Sequence, residues 1–189
     1  MMGSFVTKRL VLRKARVSDC GEIYKNVWSD GSLAKYMLWQ PLDSLGEAEE
    51  RLKKVIEFQA LNDAYFVCLR ESGEVIGFAG VSPIAGEDAA FGDCGICIAS
   101  AFQGRGLGKE LLSALAFIVF DRLGGVKFHY SCFKENISSA ALCESLGFSF
   151  VGRVRKVRRW DNLEYDSNEY ELLKCDWKNV FAVEYREEE

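Results

Sequence analysis

The residues best suited to chemistry lie in a glycine-rich stretch near the middle of the chain, residues 93–109. Its sequence, DCGICIASAFQGRGLGK, is typical of a strand, a short turn and the start of a helix. Three glycines at alternate positions leave no Cβ atoms to keep a bulky anion away from the backbone, and glycine permits φ values that other residues resist. The free amides and the dipole of a first helical turn favour a diphosphate. The predicted diphosphate site comprises Gln103, Gly104, Arg105, Gly106, Leu107, Gly108 and Lys109.

Two commoner phosphate motifs do not fit this stretch. A Walker A loop needs a glycine five positions before Gly108, where this chain has Gln103. It also needs Ser or Thr after Lys109, where this chain has Glu110. The dinucleotide fingerprint G-x-G-x-x-G fails as well, because its third glycine would fall on Lys109 or Leu111. The diphosphate therefore belongs to another class of ligand.

The elements that would position this site alternate between strand-like and helix-like patterns. Seven strands are predicted at residues 8–13, 64–70, 75–81, 89–98, 126–133, 148–160 and 164–174. Four helices are predicted near residues 18–28, 44–61, 106–123 and 136–147. Ser18, Ser44 and Asn136 are the expected N-caps. Residues 33–41 are expected to form an irregular aromatic link, and the last residues a solvated, frayed tail.

Length and composition favour a single soluble domain. The 189 residues predict one domain over residues 1–189, with its core at 7–174 and a C-terminal extension at 175–189. No apolar run approaches the ~20 residues of a membrane span. The first residues also lack the basic-then-apolar form of a secretory signal. We therefore expect a cytoplasmic protein with no membrane partner.

Charge and cysteine content argue against two other classes. The net charge of −4 disfavours general nucleic-acid binding, which demands a basic surface. The basic run at residues 153–159 is expected to be a solvated strand face, with an acidic-substrate or phosphate contact as the alternative. Seven cysteines without regular spacing are typical of a reducing compartment. Cys94 and Cys97 would face opposite sides of a strand, and no second pair or histidine cluster completes a site, so we expect no metal.

Three sequence motifs carry a resemblance to a known family. Residues 103–108, QGRGLG, resemble the Q/R-x-x-G-x-G/A signature of the GNAT superfamily of acetyl-CoA-dependent N-acetyltransferases. Residues 136–148 resemble the N-x-x-S-x-x-L-x-E-x-L-G-F block of the same family, in the family's order and separation. Residues 7–13, TKRLVLR, are similar to the opening of the branch that contains the ribosomal-protein N-terminal acetyltransferases. Together the resemblance spans residues 7 to about 174.

The resemblance implies a fold and an acetyl donor. The implied fold is α/β (α+β), with a GNAT-like mixed, mostly antiparallel twisted sheet of about seven strands flanked by four helices. Its fourth and fifth strands splay apart to admit the pantetheine arm of acetyl-CoA, whose diphosphate would sit on the glycine-rich turn. Asn136 would hold the pantetheine amides, although it is also a standard N-cap. Backbone amides of the fourth strand would stabilise the oxyanion, and those concerned are Ile96, Cys97 and Ile98.

The resemblance also implies roles for polar side chains. Ser139 occupies the serine position of the second motif, where it would protonate the departing thiolate or simply help to cap the helix. Many relatives have tyrosine in place of Cys143, whose thiol is expected to be packed and inert, with donation of the proton as the alternative. Asp93 occupies the position of a glutamate that takes the amine's proton in relatives, with a side chain one methylene shorter. The alternative role for Asp93 is that of a strand-edge carboxylate. Glu144 and His129, the only histidine, are the other candidates.

Aromatic residues are the candidates for binding the amine acceptor. Tyr36, Trp39 and Trp160 are the predicted substrate-binding residues, although aromatic residues at such places often belong to a core. The predicted function is an N-acetyltransferase that moves an acetyl group from acetyl-CoA to a primary amine on a protein N-terminus or a small molecule. The alternative is a non-catalytic acyl-CoA-binding sensor of the same fold, and a nucleotide triphosphatase is a third hypothesis. The expected partner is a small-molecule or peptide amine, and the expected assembly is a monomer or homodimer.

Overall fold

Nine strands form one continuous sheet in the computed structural model, which describes residues 3–187. The strands are β1 (Gly3–Val6), β2 (Leu10–Arg13), β3 (Asp63–Leu69), β4 (Val75–Pro83), β5 (Ala90–Ile98), β6 (Lys127–Phe133), β7 (Ser149–Arg158), β8 (Leu163–Leu173) and β9 (Glu184–Glu187). Their order across the sheet is β7-β8-β6-β5-β4-β3-β2-β1-β9. Every neighbouring pair is antiparallel except β5 and β6, which run parallel. The sheet is therefore mixed and mostly antiparallel, as predicted.

Helices cover both faces of the sheet. They are α1 (Cys20–Ile23), α2 (Gly31–Ala34), α3 (Leu45–Leu61), α4 (Leu107–Phe117) and α5 (Ile137–Glu144). A 3-10 turn precedes α1, and π turns extend α1 to Trp28 and α4 to Arg122. One core contains buried residues of α1 and α3 against β3 and β4, and a second core contains α4 and Cys143 of α5 against β6 and β8. Within residues 3–187, no helix is long and apolar enough to cross a bilayer.

The predicted fold class is confirmed, and the sheet has two strands that the sequence analysis did not predict. Strands β1 and β9 pair with each other, with Phe5 opposite Tyr185 and Val6 opposite Glu184. The rings of Phe5 and Tyr185 pack with centroids 5.1 Å apart. Strand β9 lies at the sheet edge and is largely exposed, so it lacks the alternating apolar pattern that predicts a strand. The predicted tail is therefore a strand through Glu187, and residues 188–189 lie outside the described part.

One predicted N-cap is wrong and one is confirmed. Ser18 lies inside the 3-10 turn Val17–Asp19 and does not cap it. The carboxylate of Asp19 is used instead, because it accepts the Arg16 amide at 2.7 Å and two guanidinium hydrogen bonds from Arg13 at 2.8 Å. The charged pair outcompetes a serine hydroxyl for this turn. At α3, by contrast, the Ser44 hydroxyl accepts the Glu47 amide as predicted.

Strands β5 and β6 separate shortly after they begin to pair. Their parallel ladder comprises three pairs, from Ala90 opposite Lys127 to Gly92 opposite His129. Beyond this point β5 continues against β4, whereas β6 continues against β8 as far as Phe133. The two strands therefore open a gap in the sheet. This is the splay of the fourth and fifth predicted strands, and it is confirmed.

A buried carboxylate links the start of the chain to α4. Glu110 is almost fully buried, and its Oε1 accepts the Thr7 hydroxyl at 2.6 Å and the Arg9 amide at 2.7 Å. Its Oε2 accepts the Arg9 Nε at 2.7 Å. The same guanidinium donates through its NH1 nitrogen to the Arg105 carbonyl oxygen at 2.8 Å, within the glycine-rich turn. Thr7 and Arg9 therefore fasten this turn to the edge of the sheet.

Replacing Glu110 with glutamine tests this linkage. We expect Glu110→Gln to cost about 2–3 kcal/mol of unfolding free energy at pH 7, because it leaves buried donors poorly paired. Burial opposes the charge, but the hydrogen bonds from Thr7 and Arg9 prevail and lower the pKa of Glu110. The stabilisation is thus present above the usual value of 4.5 and disappears as the pH falls through the lowered pKa. Urea unfolding at pH 7 and at pH 3 measures the difference, which should shrink in acid.

The matched control is Glu50→Gln, at an exposed position on α3. Its unfolding curve should nearly coincide with that of the wild type at both pH values. Equal destabilisation by the two variants would contradict the structural role of Glu110.

Candidate active site

The gap between β5 and β6 opens into a cleft of about 280 Å³. Both separated strands line it, together with the start of α5, strand β8 and the aromatic link that follows α2. Its lining residues are Tyr36, Met37, Leu38, Trp39, Phe78, Asp93, Cys94, Gly95, Ile96, Tyr130, Ser131, Cys132, Phe133, Asn136, Ser139, Tyr165 and Ser167. The predicted catalytic residues Asp93 and Ser139 therefore share one cleft with the predicted acceptor residues Tyr36 and Trp39.

Asp93 lies where the two strands separate. Its Oδ1 accepts the backbone amide of Ser131 on β6 at 3.0 Å, one residue beyond the last ladder pair on β5. Among the described residues that line the cleft, Asp93 alone carries a formal charge at neutral pH. Burial raises the pKa of Asp93 to about 6, against the opposing effects of the Ser131 amide and the charges of His129 and Lys156. Asp93 is therefore ionised at pH 7 but more basic than an ordinary aspartate.

A bulge next to Asp93 turns the backbone of β5. Cys94 and Gly95 together oppose a single residue of β4, and Gly95 has a φ of +115°, which favours glycine. Beyond the bulge, the Cys97 carbonyl points at β4, because a Cβ on Gly77 would lie 2.0 Å from its oxygen. The Ile98 carbonyl points the other way and accepts Gln103 Nε2 at 2.8 Å.

The alternating direction of the peptide groups determines which of the three amides predicted to stabilise the oxyanion face the gap. Peptide groups along a strand point alternately to its two sides. Ile96 and Ile98 therefore direct their amides toward the gap, whereas Cys97 directs its amide toward β4. The geometry favours Ile96 and Ile98 for the predicted role and disfavours Cys97.

The glycine-rich turn leads into α4 with two left-handed residues. Gly104 has a φ of +72°, and Gly106, the N-cap of α4, has a φ of +75°. Side chains resist this region, so both positions favour glycine. Gly108 serves packing instead, because a Cβ there would lie 3.4 Å from Leu142 of α5. Leu107, Gly108 and Lys109 form the first turn of α4, where the amides lack intrahelical acceptors.

A basic groove of about 490 Å³ lies beside this turn. Four cationic side chains line it, those of Lys8, Arg9, Arg70 and Arg105, together with one acidic residue. The Arg105 guanidinium packs 5.3 Å from the Phe102 ring and donates to a backbone carbonyl. The groove and the helix start therefore present positive charge and free backbone amides side by side, a combination that favours anions.

Helix α5 presents two polar side chains to the cleft. The Asn136 Oδ1 accepts the Ser139 amide at 3.2 Å, which confirms Asn136 as an N-cap. The Ser139 hydroxyl lies 2.6 Å from the hydroxyl of Tyr130 on β6, and either can be the donor. Sequence reasoning missed Tyr130, because strand alternation gives only the face on which it lies. Burial raises the pKa of Tyr130, which keeps its hydroxyl protonated.

The alternative candidates lie outside the cleft lining. Cys143 is fully buried, burial raises the pKa of its thiol to about 12, and its Sγ donates to the Ala140 carbonyl. This is the packed, inert cysteine that the sequence predicted. Glu144 is exposed and accepts the Tyr170 hydroxyl at 3.2 Å. His129 binds Glu169 through Nε2 at 2.7 Å, and this hydrogen bond raises the pKa of the imidazole.

Two of the three predicted acceptor residues line the cleft. Tyr36 lies 6.0 Å from Phe133 between ring centroids, and Trp39 lines the same wall. Trp160 instead lies in the β7–β8 turn outside the cleft lining, where it packs 4.5 Å from the Arg158 guanidinium. Its role in acceptor binding stays a prediction. The cysteines Cys94 and Cys97 differ in exposure, and residues 3–187 contain no group of three His, Cys, Asp or Glu side chains that could hold a metal ion.

Arg158 fixes the aromatic link in place. It is buried at the end of β7, and its NH1 donates to the carbonyl oxygens of Ala34 and Lys35 at 3.0 Å and of Met37 at 3.3 Å. Its Nε donates to Asp161 at 3.0 Å. The sequence analysis placed this arginine in a solvated basic face, which is wrong for Arg158. Its three carbonyl acceptors lie more than 120 residues away in the chain, so no local pattern could identify them.

The fold and the cleft define a class of protein that comparison with known families identifies. Residues 9–149 match the acetyltransferase (GNAT) domain, which covers most of the chain. The chain therefore belongs to the GNAT family and is an acetyl-CoA-dependent acetyltransferase.

Individual relatives agree with this assignment. The chain is 25% identical over 178 residues to the uncharacterized N-acetyltransferase p20 of Bacillus licheniformis, covering 93% of this chain and 99% of that protein. A GNAT-family acetyltransferase from Bacillus anthracis has a similar fold, with a TM-score of 0.77 at 19% identity over 90% of this chain and 98% of that one. Spermidine N-acetyltransferase from Vibrio cholerae, solved in complex with CoA and spermine, also has a similar fold. Its TM-score is 0.72 at 22% identity, over 88% of this chain and 96% of that one.

Removing the Arg158 guanidinium tests how the cleft wall is held. We expect Arg158→Met to lower kcat/KM for the acceptor about 10- to 100-fold, because the aromatic link loses its anchor and misplaces the acceptor. The lost carbonyl hydrogen bonds should also reduce the unfolding free energy by about 1–3 kcal/mol. The KM for acetyl-CoA should change little. Initial rates with each substrate varied in turn, together with thermal unfolding, measure these effects.

Arg155→Met is the matched control on the same strand. Arg155 is exposed and pairs with Glu164 and Asp166 at the surface, so both rates and stability should stay close to those of the wild type. A variant at Arg158 that kept full acceptor kinetics would contradict the anchoring role.

Proposed function

We propose that this protein is an N-acetyltransferase that transfers the acetyl group of acetyl-CoA to a primary amine by direct attack on the thioester. The observation that carries the proposal is the joining, in one cleft, of a carboxylate of raised pKa with a hydroxyl at the start of α5. Asp93 is the proposed base and Ser139 the proposed acid. Both line the gap through which the thioester would enter.

The proposed step conserves protons. The neutral amine nitrogen attacks the thioester carbonyl carbon, a carbon–nitrogen bond forms, and the amides of Ile96 and Ile98 stabilise the oxyanion. The nitrogen proton passes to Asp93, directly or through water. As the carbon–sulfur bond breaks, Ser139 gives its hydroxyl proton to the sulfur. The Tyr130 hydroxyl orients Ser139, and the proton on Asp93 returns through solvent to restore the serine.

The donor is proposed to bind along the gap between β5 and β6. Its diphosphate would rest on the amides of residues 103–109, with Asn136 holding the pantetheine through its free side-chain nitrogen. The basic groove beside the turn suits the remaining phosphate, since its four cations can pair with an anion. The complex of the Vibrio cholerae neighbour with CoA supports a coenzyme A ligand for this fold.

We further propose a domain organisation, an assembly and an acceptor class for this enzyme. It acts as one domain, as a monomer or homodimer, on a peptide or small-molecule amine. Seven free thiols favour a reducing compartment, and we therefore place it in the cytoplasm. The resemblance to the ribosomal-protein branch makes a protein N-terminus one acceptor to test.

Thiol release from acetyl-CoA over a panel of amines tests the proposal. We expect at least one amine to release thiol in stoichiometry with its acetylated product, and calorimetry to detect acetyl-CoA binding. Because the glycine-rich turn should carry the diphosphate, Gly106→Val should abolish binding through strain at a positive φ. Tight binding without turnover on any amine would instead indicate the acyl-CoA sensor. Absence of acetyl-CoA binding would overturn both readings.

The pH dependence of Asp93→Asn tests the base. We expect the variant to lose about 10²- to 10⁴-fold in kcat/KM at pH 8. Because the acceptor's own titration is common to both proteins, the ratio of wild-type to variant kcat/KM isolates the titration of Asp93. This ratio should rise with pH through about 6, the raised pKa of the carboxyl. A ratio that stays flat between pH 5 and 8 would rule Asp93 out as the base.

Stability measurements on Asp93→Asn test whether such a loss comes from unfolding. The raised pKa of Asp93 means that the folded state binds its proton more tightly than the unfolded state. The carboxylate therefore destabilises the wild type increasingly as the pH rises from 3.8 to about 6. Asp93→Asn keeps an oxygen for the Ser131 amide and should be more stable than the wild type at pH 8, by about 1–3 kcal/mol. The difference should shrink at pH 4.

A further inference from the structure

A second pocket adjoins the cleft and contains two buried donors without partners. It holds about 270 Å³ and lies between α3 and the β3–β5 part of the sheet. The indole Nε1 of Trp39 and the NH1 nitrogen of Arg51 are both buried, and neither has a hydrogen-bond partner among residues 3–187. Buried donors are normally paired, and each unpaired one carries a desolvation cost. Two such donors on one pocket wall indicate a missing acceptor.

Arg51 is held in this position by its other contacts. Its NH2 nitrogen donates to the Gln40 carbonyl at 2.8 Å. Its guanidinium lies 5.5 Å from the centroid of the Trp28 ring and 5.8 Å from that of Trp39. Burial lowers the pKa of Arg51, which shows that the charge is poorly solvated. The guanidinium is thus held in place, while its buried NH1 nitrogen lacks a hydrogen-bond partner among residues 3–187.

The two pockets carry opposite charges. Among the described residues that line the second pocket, Arg51 alone is charged, as Asp93 alone is in the cleft. Trp39, Phe78 and the bulge residues Cys94 and Gly95 line both spaces, so the two pockets are neighbours. The rest of the second pocket is mostly apolar and aromatic.

We propose that the acceptor is an amine that also carries a carboxylate on an apolar body, with the carboxylate bound by Arg51 and Trp39 in the second pocket. This rests on the proposed function and narrows its acceptor to amino acids and short peptides. The amine reaches Asp93 in the cleft, and the apolar body lies along Trp39 and Phe78. A carboxylate has lone pairs enough for both donors, and its charge matches the guanidinium. A polyamine places positive charge against Arg51 and is a poor acceptor.

Matched amine pairs test the proposal by thiol release. Each carboxylate substrate is compared with the matching compound in which a primary amide replaces the carboxylate. The substrates are apolar α-amino acids, dipeptides and ω-amino acids of increasing length. Spermine is included as a polycation. We expect kcat/KM to favour the best carboxylate over its amide about 10- to 100-fold, the range for a charge-assisted hydrogen bond. Spermine should fall below every neutral amide. Equal rates for carboxylates and their amides would overturn the proposal.

Variants of Arg51 and Trp39 provide a second test of the proposal. Arg51→Met keeps an unbranched stem and should reduce the ratio of carboxylate to amide kcat/KM to near unity, mainly through the KM for the carboxylate. Arg51→Lys should retain part of the preference, which separates loss of charge from loss of folding. Trp39→Phe keeps the ring and should weaken the preference about fivefold. Lys53→Met, at an exposed position of α3, is the matched control and should leave the preference unchanged.

Direct binding separates failure of this inference from failure of the proposed function. If no amine releases thiol, titration of the same pairs followed by tryptophan fluorescence still reports on the second pocket. Tighter binding of carboxylates to the wild type than to Arg51→Met would then support the carboxylate site in a non-catalytic protein. Turnover of amines without any carboxylate preference would sustain the acetyltransferase and refute the second pocket's role.

Discussion

The early separation of β5 from β6 is the constraint on which the site depends. A parallel pair that stops after three residues leaves peptide groups on both strands without their ladder partners. Since buried amides need acceptors, the Ser131 amide takes the Asp93 carboxylate as its partner. The carboxylate therefore lies in a poorly solvated gap, where burial raises its pKa despite the opposing effect of the Ser131 amide. A requirement of the backbone thus fixes both the position and the protonation of the proposed base.

Buried charged groups hold the two ends of this gap. Glu110 fastens the proposed donor end, because its three hydrogen bonds join α4, which follows the glycine-rich turn, to Thr7 and Arg9. Arg158 fastens the proposed acceptor end, because its carbonyl acceptors belong to the wall that carries Tyr36 and Trp39. A buried ion that is fully hydrogen-bonded has few alternative positions. The gap can therefore stay open although β5 and β6 no longer pair with each other there.

The sequence predicted those parts of the fold that local patterns determine. Runs of β-prone residues bounded by turns located seven strands. The capping residues Ser44 and Asn136 located two helix starts, because each acts within one turn of its own helix. Strand β9 was not predicted, because its residues are polar and exposed. Ser18 failed as a cap because Arg13 and Asp19 form a stronger local pair. Residues such as Tyr130, Arg51 and Arg158 act through partners elsewhere in the chain or through a pocket that only the folded chain creates.

The position of Trp39 explains how binding of an acceptor could be linked to orientation for reaction. Its ring forms part of both pockets, while the link that carries it is fastened by Arg158. In the proposed arrangement, an acceptor bound at Arg51 contacts this ring on the side of the second pocket, and its amine lies on the side of the cleft. The unpaired donors at Arg51 and Trp39 cost free energy in the unliganded protein, and a carboxylate would recover it. Because that recovery occurs away from the reacting atoms, it can offset the entropy lost in positioning the amine, which is how binding remote from the chemistry contributes to rate.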